Sequence, residues 1–187
     1  VKEFLNQLHD QAVNQNISII LLLEKSTKAY PHFEKVHIPV VPFLPGFATF
    51  RIFFLFPIIA IRKKATHFIE PAHFGPFNLP RRIQRITVIH DLTPILFPQW
   101  HTFNSWFLQK RFLPGILRRV DTIITVSHHS KQDIEEYVPS AKGKVKVLYP
   151  GLGAKYLSCS IPSEGSRQNV ILYVGTLEPR KNVTTLI

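Results

Sequence analysis

The 187-residue chain has no methionine, a single cysteine, and only 12 acidic residues against 23 Lys and Arg. One thiol, Cys159, cannot close an internal disulfide, which excludes a disulfide scaffold and a cysteine-based zinc site. That usage fits a reducing compartment. Long hydrophobic runs are also missing. The longest, Phe47 to Ile61, is interrupted by Arg51 and Pro57, and at about 1.5 Å per residue it is too short to cross roughly 30 Å of hydrocarbon. It reads first as a buried helix, and second as a helix on a membrane surface with Arg62, Lys63 and Lys64 toward anionic headgroups. Neither H-E-x-x-H nor G-x-x-x-x-G-K-[ST] occurs, so zincin and P-loop chemistry are not expected. Gly151-Leu-Gly153 lacks the third glycine of a dinucleotide fingerprint, and the adjacent His128-His129 would point apart and make a poor metal pair. The opening Val1-Lys-Glu-Phe-Leu-Asn-Gln-Leu8 is polar and amphipathic, so no secretory leader is expected, and a cytoplasmic location is.

What is present is positive charge, +11 net and unevenly placed. Between Arg62 and Arg119 there are ten Lys and Arg against two acids, Glu70 and Asp91. Such a block attracts polyanions, whether nucleic acid, an anionic membrane face or phosphorylated substrates, or else it is a solvated basic face. Nucleic acid is the weakest of these, because the aromatics follow helix and strand burial patterns rather than an exposed stacking platform.

Short unbroken apolar runs recur: Ile17–Leu23, Val36–Val41, Ile86–Ile89, Thr122–Val126, Lys144–Leu148 and Val170–Val174. Runs without alternation predict strands buried on both faces, as in a parallel sheet covered by helices. Helical stripes lie between them, at Phe4, Leu5, Leu8 and Ala12, and from Phe103 to Val120, where Pro114-Gly115 should kink or split the helix. Ser130-Lys-Gln-Asp133 reads as a capping box opening another helix. The alternation predicts an α/β, Rossmann-like doubly wound parallel sheet. Gly, Pro and Ser crowd the stretch from Pro150 to Ser166, which reads as a linker. The expected organisation is therefore a first domain over 1–150, a linker over 151–168, and the start of a second domain over 169–187. A doubly wound domain normally opens on a central strand, whereas this chain opens in a helix and has no Met. A fragment lacking the first strand and most of the second domain is expected.

Three segments can carry chemistry. In Val174-Gly-Thr-Leu-Glu-Pro-Arg-Lys-Asn182, a strand ends at Gly175 and two cations precede a helix start, an arrangement suited to phosphate. Arg180 offers paired donors and Lys181 a point charge; the bland reading is a basic loop before a helix. In Ile86-Thr-Val-Ile-His90-Asp91, a buried strand ends where ligands bind in open α/β sheets, though a histidine there is also an ordinary strand cap. In Asp121-Thr-Ile-Ile-Thr-Val-Ser127-His-His-Ser130, Ser127 lies at a strand's carboxyl end, and a structural role in satisfying backbone groups is preferred.

Taken in order, H-D-L…P, D-x-I-I-T-V-S-x-x-S-K-x-D-I, K-V-x-V-x-x-x-G and G-T-L-E-P-R-K-N resemble glycosyltransferase family 4, the retaining GT-B enzymes, over about Arg85 to Ile187. The R-K-N form is similar to a subgroup rich in mannosyltransferases of cell-surface polysaccharide synthesis. Before Arg85, only Ala65-Thr-His-Phe-Ile-Glu-Pro-Ala-His-Phe-Gly-Pro76 resembles the family. The resemblance implies transfer of a hexosyl group, mannose or glucose, from a nucleotide-diphosphate sugar to a saccharide or lipid-linked acceptor, with retention. It implies that Lys181 holds the donor diphosphate beside Gly175, that Arg180 supplies a second cation, and that His90 contacts the donor sugar. Asp91 and Ser127 would line the cleft. Thr176 stands where many members carry arginine, and the family's E-x7-E motif is not in this sequence. No cofactor or metal is implied, and the absence of D-x-D argues against a metal-dependent GT-A transferase. The partners implied are the nucleotide sugar and its acceptor, with the inner membrane face as a peripheral surface and no nucleic acid. The rival is a non-catalytic α/β module binding a membrane surface or polyanion.

Overall fold

The β-branched runs become strands that pair in parallel. A computed structural model describes residues 2–24, 30–40, 47–71, 73–75, 78–153, 158, 170–178 and 181–185. Helix α1 (Lys2–Asn14) precedes β1 (Ile20–Leu23), which pairs in parallel with β2 (Glu34–His37). A second sheet holds β3 (His67–Glu70), β4 (Gln84–Ile89), β5 (Thr122–Thr125) and β6 (Val145–Val147), adjacent in that order and all parallel. The chain is thus an α/β protein, with helices flanking the sheet in the β4–β5 and β5–β6 crossovers. They are α4 (Thr93–Leu96) and α5 (Phe103–Arg119) between β4 and β5, and α6 (His128–Tyr137) between β5 and β6.

Register decides which side chains share a face. Glu70 pairs with Thr87, Thr87 with Ile123, and Ile123 with Val145, so these residues point to one side of the sheet. On that side Ile89, Ile123 and Val145 meet Leu113, Ile116 and Leu117 of α5 and Ile134 of α6, all at most 4% exposed. Burying each Leu or Ile contributes about 1.5–3 kcal/mol, which makes this cluster the main source of stability among the described residues. The opposite side carries Ile86, Val88 and Ile124, each only partly covered. Burial on both faces, as the unbroken runs predict, is complete on one face of this sheet.

The Phe47–Ile61 run forms a helix interrupted by a wide turn: α2 (Phe47–Phe50), a π-turn over Arg51–Leu55, and α3 (Phe56–Arg62). Pro57 explains the interruption, since it has no N–H to return to the carbonyl of Phe53. The Asn78 side-chain amide donates to that carbonyl instead. The expectation of a buried helix holds for one face only. Pro57 and Ala60 are buried, and Ala60 packs with Leu79 and Ile83. Phe50, Phe54, Ile58 and Ile61 stay 39–56% exposed at helical spacing, one turn apart.

Four further expectations are corrected. Of the kink or split expected at Pro114, the split does not occur, since α5 runs through to Arg119; a single missing N–H is tolerated where the helix is anchored at Leu113, Ile116 and Leu117. Helix α6 is capped one turn earlier than the Ser130 box implies. Ser127, in extended backbone, accepts from the Ser130 amide at 3.0 Å, and the helix begins at His128. Val170–Val174 is not a buried strand: it has no ladder partner among the described residues, and Ile171, Leu172 and Val174 are at least 80% exposed. The helix start expected near Asn182 is one 3-10 turn, Val183–Thr185. Of the expected linker, only 151–153 and 158 fall within the described residues.

Candidate functional site

The carboxyl ends of β4 and β5 hold one polar cluster. His90 follows directly on Ile89, the buried last residue of β4, so its side chain emerges exposed where the strand leaves the sheet. Its backbone is held on both sides. The amide donates to Nε2 of His73 at 3.1 Å, and the carbonyl accepts from the Ser130 hydroxyl at 3.1 Å. The imidazoles of His73 and His90 stack with centroids 5.8 Å apart. Asp91 turns the other way: Oδ1 accepts from the Thr93 amide at 2.9 Å and its hydroxyl at 2.6 Å. This bridging fixes the chain as it enters α4.

Ser127 reaches the cluster through Ser130. Its hydroxyl donates to Ser130 Oγ at 3.0 Å while accepting from the Ser130 amide, and Ser130 then bonds His90. The preference for a structural Ser127 agrees with this arrangement. The T-shaped pair of His128 and Tyr149, 6.1 Å between centroids, lies beyond the ends of β5 and β6.

His73 was not singled out from the sequence. The segment quoted before H-D-L contains it, but nothing in its spacing distinguishes it. Its backbone is left-handed, with φ at 66°, a conformation histidine adopts more often than most residues. To accept from the His90 amide, Nε2 must be unprotonated, with the proton on Nδ1. Burial holds the His73 pKa below the ordinary histidine value, and His90 lowers it further, while Asp91 opposes both. The neutral form that the bond requires is therefore the favoured one. Two residues on, Gly75 allows a close approach: a Cβ there would meet Cβ of Glu70 at 2.8 Å.

The second candidate group lies in the segment after residue 170. Gly175 sits in a bend that brings Lys181 back to it; a Cβ on Gly175 would lie 3.2 Å from Lys181 Nζ. The Lys181 amide donates to the Glu178 carbonyl at 2.9 Å, the Tyr173 hydroxyl donates to the Thr176 carbonyl at 2.8 Å, and Thr176 Oγ1 donates to Glu178 at 2.7 Å. Gly175 and Lys181 thus form one local loop, with an exposed cation over a residue without a side chain. Arg180 lies outside the described residues.

Residues 2–154 match the family model described as Glycosyltransferase Family 4. Among curated proteins, the O-antigen chain mannosyltransferase B of Escherichia coli is 28% identical over 126 residues, covering 62% of this chain and 33% of that protein. The chain therefore spans about a third of the length of the relative it matches. The family match takes in β1 to β6 and the His73–His90–Ser130 cluster.

Proposed function

The chain belongs to glycosyltransferase family 4, and on that basis we propose that its protein transfers a hexosyl group, mannose or glucose, from a nucleotide-diphosphate sugar to a saccharide or lipid-linked acceptor. We assign retention of configuration and a two-domain GT-B architecture. Residues 1–150 form the acceptor-side domain, 151–168 the linker, and 169–187 the beginning of the donor-binding domain. His90, placed at the end of β4 with its amide and carbonyl both bonded, is the observation that carries this reading. A side chain on so constrained a backbone can be held against one sugar hydroxyl or ring face, and positioning of this kind lowers barriers without covalent chemistry. Lys181, with Arg180 as its partner, takes the donor diphosphate and the negative charge that grows on it as the glycosidic bond breaks. Asp91 and Ser127 shape the acceptor-side wall.

The test is turnover by the full-length protein. Nucleotide-diphosphate mannose and glucose are offered with saccharide and lipid-linked acceptors, and the anomeric configuration of the product is read by NMR. Hydrolysis or transfer of neither sugar, with a folded protein, would overturn the assignment.

A peripheral membrane contact belongs to the same reading. The exposed stripe Phe50, Phe54, Ile58, Ile61 ends at Arg62, Lys63 and Lys64, the pairing of apolar face and cations that favours an anionic bilayer surface. No helix among the described residues is long and apolar enough to cross a membrane. Binding to anionic vesicles should weaken with salt, each cation contributing about 1 kcal/mol. Equal binding to neutral vesicles would remove the electrostatic part.

A further inference from the structure

The amino ends of the four-stranded sheet, opposite the proposed sugar site, carry a separate feature. A cleft of about 580 Å3 opens there, lined by Arg81, Arg85, Arg118, Arg119 and Lys144 with Asp121 as its one acid. The topology explains the convergence. Arg81 precedes β4 and Arg85 is its second residue, Asp121 and Lys144 immediately precede β5 and β6, and Arg118 and Arg119 end α5. Parallel strands place all these positions at one edge.

Several of these groups also bond the fold itself. Asp121 accepts from the Arg85 amide at 2.8 Å and from Nε at 3.4 Å, so the carboxylate offsets one guanidinium. Lys144 Nζ donates to the carbonyls of Arg118 and Val120 at 2.9 and 3.2 Å, and Arg118 Nε donates to the Pro114 carbonyl at 3.2 Å. These bonds close the end of α5, whose dipole supplies roughly half a negative charge. The lining of this concave site thus gathers five cations and one carboxylate, beside a helix end worth roughly half a negative charge. Like charges so gathered repel, and an anion relieves that repulsion. The volume lies within the roughly 300–1,000 Å3 of small-ligand sites, and arginine forks match phosphate oxygens in pairs.

We propose that this cleft binds a phosphate-bearing ligand carrying at least two negative charges, at a site separate from the donor-sugar site. The shared chemistry is the phosphate oxyanion, whether of a soluble diphosphate or of a phospholipid headgroup. The inference does not depend on the proposed transferase activity.

Inorganic diphosphate titrated into the full-length protein by calorimetry tests the soluble form. Vesicles of phosphatidylglycerol in phosphatidylcholine test the lipid form. Arg81→Gln and Arg119→Gln should each weaken binding about tenfold or more. Lys181→Ala should leave cleft binding in place, which separates this site from the proposed donor site. Binding of vesicles but not diphosphate, with the same loss in both variants, would identify the ligand as a headgroup. If Arg119→Gln lowers Tm, Arg81→Glu on the exposed turn before β4 makes the same test. The proposal is overturned if neither probe binds, if both arginine variants bind as the parent does, or if binding vanishes in Lys181→Ala alone.

Discussion

Ile86–Ile89 and Val170–Val174 are equally unbroken apolar runs, yet they end in opposite environments. The first lies between two parallel neighbours, with Thr87 and Ile89 at most 1% exposed. The second carries Ile171, Leu172 and Val174 at 80–84% exposure and has no partner among the described residues. Apolar content sets the tendency of a segment to be buried, but a ladder needs a second edge. For β4 that edge comes from β3 and β5, and α5, which leads from β4 to β5, covers one face. The same contrast divides the candidate site: His90 rides on the packed strand, while Gly175 and Lys181 sit on the unpaired segment.

The sharpest way to break the contrast is to remove one leucine from each region of the 187-residue chain. Leu117 is 0% exposed and Leu172 is 81% exposed. Leu117→Ala should cost about 2–5 kcal/mol, through lost burial and the cavity left between α5 and the sheet. Leu172→Ala should change stability by about 0.5 kcal/mol or less. Urea denaturation followed by circular dichroism gives both values. Comparable losses would mean that the 170–178 segment packs as firmly as the helix.

Kinetics in the full-length protein extend the comparison to chemistry. Lys181 meets a diphosphate that is charged throughout, so it acts in the ground state and more strongly as charge builds in the transition state. Lys181→Ala should raise the donor KM and lower kcat, together by about 10- to 150-fold, the equivalent of one charge-assisted hydrogen bond of roughly 1.5–3 kcal/mol. His90→Ala should chiefly lower kcat, because the diphosphate anchor remains while the sugar is misplaced. Parental donor kinetics in both variants, with matched circular dichroism, would remove these residues from the site.

How far the sequence could be read follows the same division. Strands β4, β5 and β6 lie within two residues of their apolar runs because neighbours in sequence are also their neighbours in the sheet. His90 was legible because the run visibly stops there. Ser130 was read as the cap of α6 and Ser127 as a strand-end serine satisfying backbone groups; that Ser127 is the cap needed its extended backbone. A surface-lying helix over Phe47–Ile61 was the second reading, but which of its residues stay uncovered was not legible, since Phe50 and Pro57 are both apolar and only packing distinguishes them. His73 was hidden because its role depends on a contact 17 residues away and on a left-handed backbone. The basic cleft was visible as excess charge from Arg62 to Arg119, but its concentration at one sheet edge needed the strand register and Lys144, which lies outside that stretch.

The smallest expected effect concerns His73, which ties the loop after β3 to the end of β4. Its folded pKa lies below the ordinary 6.5, chiefly through burial, with His90 adding to the shift and Asp91 partly offsetting it. Above pH 6.5 the imidazole is neutral in both folded and unfolded chains, and it adds no pH dependence. As pH falls through that value, the unfolded chain takes up the proton first. Stability should therefore decline from about pH 6.5 down to the lower folded pKa, then stop changing on this account. Below that point the protonated ring can no longer accept from the His90 amide, and the strand end should loosen. His73→Asn keeps a neutral acceptor and tolerates the left-handed backbone. Thermal melts at pH 7.5 and 5.5 should show a smaller pH-dependent fall in Tm for His73→Asn than for the parent. Leu172→Ala, in the unpaired segment, should show the parental fall. An unchanged pH response in His73→Asn would mean that this histidine does not couple protonation to the end of β4.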